Sequence, residues 1–135
     1  MTTRTIRLVV LLCGILMAGL PMRGALEAHH SLAGVYDLNK EMVLTGALVE
    51  LRFTNPHSSI KLAVKNEDGS TTEWSLVTAS NIVLTRQGVT KSSIKPGEVL
   101  KITILPAKNG NPIGFIKSLE LGDRDVKLFD PNGNN

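Results

Sequence analysis

The sequence predicts a mainly β domain, a small barrel of five or six strands with one short helix, behind a cleaved signal peptide. Three observations predict it. Segments in which apolar and polar residues alternate recur from Met42 to Phe129, bounded by residues that favour turns. A single stretch, Asn81 to Gln87, carries helix signals at both ends. Residues 1–28 have the layout of an export signal rather than of a folded element.

Within that signal, Arg4 and Arg7 form a positive start and Leu8 to Leu20 an uncharged apolar run. Pro21 breaks the run, and Leu26-Glu27-Ala28 offers a cleavage site. The run has 13 residues, short of the ~20 that a helix needs to cross a bilayer. A cut after Ala25 would put Arg23 three residues before it, a worse fit than Leu26 before a cut at Ala28. Cys13 follows Leu12 rather than a small residue, so a lipid anchor is rejected. The expectation is a periplasmic or secreted chain that begins at His29 and has no membrane span after cleavage.

Residues 29–41 show no clear period and read as an N-terminal arm held by a few apolar contacts. The barrel domain is expected over residues 42–129. From Met42 to Phe53 one face reads Val43, Thr45, Ala47, Val49, Leu51 and Phe53, the alternation of a long strand, with Gly46 placed for a bend or bulge. Asn55-Pro56 ends regular pairing. A second strand alternates Ile60, Leu62 and Val64 against polar neighbours, and Asn66-Glu67-Asp68-Gly69 turns the chain into a third, Thr71 to Val77, with Trp74 and Leu76 inward. Ser80 caps the helix and Gly88 closes it. Lys95-Pro96-Gly97-Glu98 is a Pro-Gly turn. A fourth strand holds Leu100, Ile102 and Ile104, and a fifth runs from Gly114 to Leu121 across a polar loop at residues 108–112. Val126 to Phe129 adds a short edge strand, and residues 130–135 read as a disordered tail. Three strands, a short helix and two or three further strands is the element order of an OB-like barrel.

Composition narrows the function. The chain has 15 Lys and Arg against 12 Asp and Glu, a net charge of +3. Removing residues 1–28 leaves 12 basic and 11 acidic residues, so little field remains to attract nucleic acid. The five aromatic residues after Ala28 (Tyr36, Phe53, Trp74, Phe115 and Phe129) sit mostly where a core would want them rather than on a base-stacking platform. No nucleic-acid partner is expected. No cysteine remains either, so disulfides contribute nothing to stability in an oxidising compartment.

In the same order along the chain, Ala28-His29-His30-Ser31, Tyr36-Asp37, Thr45-Gly46, Asn55-Pro56-His57, Trp74 and Arg86-Gln87-Gly88 resemble a family of small secreted bacterial proteins known as domain of unknown function 6152. The likeness runs over nearly all of residues 28–121. It implies an exported single domain and supplies no activity. This chain has Phe53 where Trp is common in the family, and Val89 where Trp often follows the glycine. Both read as core substitutions, and they weaken the case for an aromatic surface as the functional feature.

His29, His30 and His57 are the only histidines and form the candidate metal set. An α-amine has a pKa near ~8, against ~10.4 for a lysine, so a metal displaces its proton at modest cost. The amine and Nδ1 of His29 would close a chelate ring, with His57 as the opposing ligand and His30 either a third ligand or a supporting group. Such all-nitrogen tetragonal coordination favours Cu(II); three imidazoles with an open position would suit Zn. A Cu(I) carrier is a poor fit, since Met42 is the one sulfur side chain left. Asp37, Asn55 and Glu50 are weaker candidates for orienting an imidazole. The plainer alternative makes His29 and His30 a polar chain start and His57 a turn residue. The domain is then a non-catalytic module that holds a periplasmic protein. A copper-dependent redox enzyme ranks last, because no substrate cleft can be argued from these residues; no paired carboxylates, triad or phosphate-binding loop stands out either.

Overall fold

The computed structural model describes residues 32–129; the expected signal, His29, His30 and the expected tail at 130–135 lie outside the described residues. Six strands form one sheet in the order β3-β2-β1-β4-β5-β6. In chain order they are β1 (Met42–Arg52), β2 (Ser59–Lys65), β3 (Thr71–Val77), β4 (Val99–Pro106), β5 (Ile113–Leu121) and β6 (Arg124–Lys127), with helix α1 (Asn81–Arg86) between β3 and β4. Neighbours in that order are antiparallel, and a short parallel pairing of Ser75–Val77 with Ile113–Phe115 closes the sheet on itself. Five strands therefore make an OB-like barrel, and β6 extends its rim.

Alternation explains the filling of the barrel. Leu44, Leu48, Ile60, Leu62, Leu76, Leu100, Ile102, Ile104, Ile116 and Leu119 are all buried in a single cluster, joined by Leu84 of α1 and by Val89. Phe53 and Trp74 pack against this cluster from partly buried positions. Gly114 faces inward, where a side chain would meet Ile104 and Leu76.

The face of β1 differs from the alternation expected. Leu44, Gly46 and Leu48 are buried, while Val43 and Thr45 are exposed. The register with β2 passes from Leu48↔Leu62 to Glu50↔Lys61, which leaves Val49 as the extra residue of a bulge. That one residue reverses the parity, so Leu51 and Phe53 turn inward although Val43 and Val49 stay out. The bulge falls at Val49, not at Gly46. Gly46 has another role: a Cβ there would stand 2.4 Å from the Ala63 carbonyl oxygen, so only glycine lets β1 and β2 approach this closely.

Other expectations hold closely. The Ser80 side chain accepts a hydrogen bond from the Val83 N–H, and Gly88 follows the helix with a φ of 78°. Glu98 N–H donates to the Lys95 carbonyl across the Pro-Gly turn. The edge strand, however, lies two residues earlier than expected. Gly122, with a φ of 57°, makes a tight hairpin that pairs Leu121 with Arg124, and Leu128 and Phe129 instead turn back to the Lys117 carbonyl.

The arm has more structure than its sequence suggests. A helical turn at residues 32–35 leads to Tyr36, which bridges Ala107 beyond the end of β4. The Tyr36 ring lies 5.8 Å from that of Phe115, and Phe129 stacks edge-on against Phe115 at 5.0 Å. Phe115 and Leu105 are paired on the outer side of β5 and β4, and both are buried beneath this cover. Burial holds the Tyr36 phenol above the usual tyrosine range.

Candidate functional site

The loop between β1 and β2 holds Asn55-Pro56-His57, with a cis peptide bond before Pro56. Its ends are tied together. Ser58 is fully buried; its hydroxyl donates to the Thr54 carbonyl at 3.1 Å and accepts from the Thr54 N–H at 3.2 Å. The Thr54 hydroxyl donates to the His57 carbonyl at 2.9 Å. Three backbone bonds then fasten the loop to the corner that starts α1: Ser58 N–H to Ala79, Thr78 N–H to Ser58, and Asn81 N–H to Thr54. Loop and helix thus form one rigid end of the barrel, fixed by bonds that leave Asn55, Pro56 and His57 exposed.

Beside this loop lies a shallow hollow of about 340 Å³ lined by Phe53, Asn81, Ile82, Thr85 and Arg86. Ile82 is 55% exposed although it sits in the first turn of a helix that buries Leu84. Arg86 makes no ion pair among the described residues and donates no hydrogen bond to the helix carbonyls, the role its position suggests. Residues 74–97 contain Arg86, Lys91 and Lys95 and no Asp or Glu. Sequence reasoning missed Ile82 here. The signal was available, since the helix is too short to bury both Ile82 and Leu84.

Of the predicted site residues, the structure places His57 on this exposed loop, where its imidazole makes no hydrogen bond among the described residues. His29 and His30 lie outside the described residues. No group of three His, Cys, Asp or Glu able to hold a metal occurs among the described residues. Glu50 is engaged elsewhere: Arg52 contacts it at 2.6 Å and Lys61 at 3.9 Å, and the Arg52 hydrogen bond holds its carboxyl below the usual carboxylate range. Asp37 accepts from the Asn39 N–H in a local turn, and its own N–H donates to the Pro106 carbonyl. Asp37 therefore belongs to the Met42 end of β1, whereas His57 follows the Arg52 end, 11 residues along the strand.

The outer face of β1, β2 and β3 also carries a groove, of about 140 Å³, lined in part by Glu50, Arg52, Ser59, Lys61 and Ser75. Its charges pair with one another, since Lys61 also reaches Glu73 at 3.4 Å. The outward residues of these strands beyond the bulge (Glu50, Arg52, Ser59, Lys61, Ala63, Lys65, Thr71, Glu73, Ser75 and Val77) include no aromatic.

Residues 20–117 match the model of a family described as "Family of unknown function (DUF6152)". The chain belongs to this family. No curated protein matches it in sequence. Among solved structures, it is similar to the mitochondrial single-stranded DNA-binding protein Rim1 of S. cerevisiae, at 12% identity and a TM-score of 0.47 over 67% of this chain and 96% of that one. It is also similar to the protein PriB of Ralstonia solanacearum, at 23% identity and a TM-score of 0.34, over 60% of this chain and 96% of that one. Of the segments that carried the resemblance in sequence, Tyr36-Asp37 lies in the arm, Asn55-Pro56-His57 in the loop after β1, and Arg86-Gln87-Gly88 at the end of α1.

Proposed function

We propose that this family member is an exported, non-catalytic binding module that works through the end of the barrel where the Asn55-Pro56-His57 loop meets α1. One observation carries the reading. A loop fixed by hydrogen bonds stands beside uncovered apolar surface and a cation without a carboxylate partner. Binding surfaces that are already rigid lose little freedom on association, and an exposed isoleucine gains from being covered. The outer face of β1–β3 has no aromatic platform, and its Arg52 and Lys61 are paired with Glu50 and Glu73, which supports a partner other than nucleic acid. A photo-cross-linking residue at position 82 should capture a periplasmic protein in cells, and one at Lys65, at the far end of β2, should not. Capture at 65 and not at 82 would contradict the reading.

His57 favours a second reading, in which the bound species is a metal ion. Its ring is held on the fixed loop and makes no hydrogen bond among the described residues. The amine and Nδ1 of His29 would supply the chelate, with His30 a third or supporting group, and Cu(II) ahead of zinc. Titration of correctly processed protein with Cu(II) should then show one tight site, weakened strongly by His57→Ala or by one residue added before His29. If neither change matters, the metal reading fails.

A further inference from the structure

We infer that the hollow between Phe53 and Ile82 takes an extended segment of a partner protein, one that sets a large aliphatic or aromatic side chain beside an aspartate or glutamate. The inference rests on the reading of this end as the binding surface and adds the chemistry of its occupant.

The apolar half follows from the walls. Phe53 packs against the barrel core along one side and leaves part of its surface to the hollow, and Ile82 faces it from α1 with about half of its surface in solvent. A side chain seated between them would remove apolar area on both sides from water. The walls are fixed, because Asn81 N–H donates to the Thr54 carbonyl and Ser80 caps the helix. A shallow open hollow of this kind suits one or two side chains of a chain lying across it, not a whole enclosed small molecule.

The acidic half follows from charge. Arg86 lines the same hollow, and among the described residues no carboxylate stands within ion-pair distance of it. Four cations of the sheet are matched: Arg52 and Lys61 with Glu50, Lys101 with Glu120, Lys117 with Glu41. The segments that supply its walls, residues 53–60 and 74–97, carry three cations in sequence and no acid, and Arg86 is the one that lines the hollow. Arg124 adds a fourth, its guanidinium 3.5 Å from where a Cβ on Gly88 would stand, though Asp123 and Asp125 flank it in sequence. A guanidinium gains most from a carboxylate that accepts two of its N–H groups. Asn81, on the same wall, carries a buried Oδ1 with no hydrogen-bond partner among the described residues, an acceptor suited to an N–H of the segment and not to its carboxylate. One exposed isoleucine is a small apolar footprint for a lipid surface, which favours a peptide chain over a membrane.

The test is selection of a displayed library of random dodecapeptides on the mature chain, followed by fluorescence polarisation of the enriched sequences. Enriched peptides should place Leu, Ile or Phe next to Asp or Glu. Their binding should weaken at least tenfold in Ile82→Ser and in Arg86→Glu, with thermal unfolding unchanged. Arg86→Glu should also bind better once the acidic residue of the peptide is changed to Lys. Equal binding of peptides whose apolar residue is replaced by Ser, or equal binding to the two variants, would overturn the inference, as would tighter binding to anionic phosphatidylglycerol vesicles than to any peptide. Capture of a partner at position 82 without such peptides would sink the inference alone and leave the binding surface standing. Peptide binding unaffected by both variants, with no capture at 82, would sink both.

Discussion

Where β1 begins, Tyr36 and Phe129 cover Phe115 and Leu105, and the arm is bonded to Pro106 and Ala107. Where β1 stops, Ile82 and Arg86 stand in solvent beside a loop whose backbone is tied down just as firmly. Both ends are tied by backbone bonds, but only the first lays the chain's own rings over an outer apolar residue, Phe115, even though Val35 and Val43 stay exposed nearby. The contrast separates two uses of bonded backbone. At the arm end it seals a second small core outside the barrel, and at the helix end it displays side chains that the fold itself does not use.

Breaking the sealed end should have the largest effect on stability. Phe115→Ala should cost about 3–5 kcal/mol, read as a lower urea midpoint, because the ring sits beneath both Tyr36 and Phe129. Gly46→Ala tests the barrel that both ends share. A methyl group 2.4 Å from the Ala63 carbonyl oxygen must push β1 from β2, at about 1–3 kcal/mol. Ser80→Ala removes the helix cap and should cost about 1 kcal/mol in the same assay. At the displayed end, Ile82→Asp should change stability by less than about 0.5 kcal/mol and yet abolish binding of the selected peptides. A large loss of stability there would mean that Ile82 serves the fold after all.

The smallest effect concerns pH and again distinguishes the ends. The Tyr36 phenol is raised by burial, so the folded protein ionises it later than the unfolded chain does. Its contribution is therefore fully present below the ordinary tyrosine pKa, ~10, and is lost as pH rises through the higher folded value. Melting temperature should fall above that point, and Tyr36→Phe should flatten the fall. An identical alkaline slope in Tyr36→Phe would place the titration elsewhere.

Much of the barrel was legible because its interior is aliphatic and alternates along β2 and β3. Ile60, Leu62 and Leu76 follow the period-two rule, and Ser80, Gly69, Gly88 and Gly97 mark the helix and turns by local backbone chemistry. The face of β1 was not legible, since a bulge at Val49 reverses parity and leaves no composition signal. The Tyr36–Phe115–Phe129 layer was hidden for another reason: the sequence shows Phe115 beside Ile116 but not which side of the sheet each faces or what covers it. Closure through β3 and β5 joins residues far apart in the chain, and no local pattern encodes it. At the candidate site the Asn55-Pro56-His57 motif stood out by residue type. Its neighbours Phe53, Ile82 and Arg86 converge only through the fold.

Amide hydrogen exchange on the protein, with and without a partner captured at position 82, tests the display of this end most directly. Bound protein should gain protection in residues 53–58 and 81–88 and keep its free-state rates at 107–112, beside the arm. Protection at 107–112, with 53–58 and 81–88 unchanged, would contradict the account.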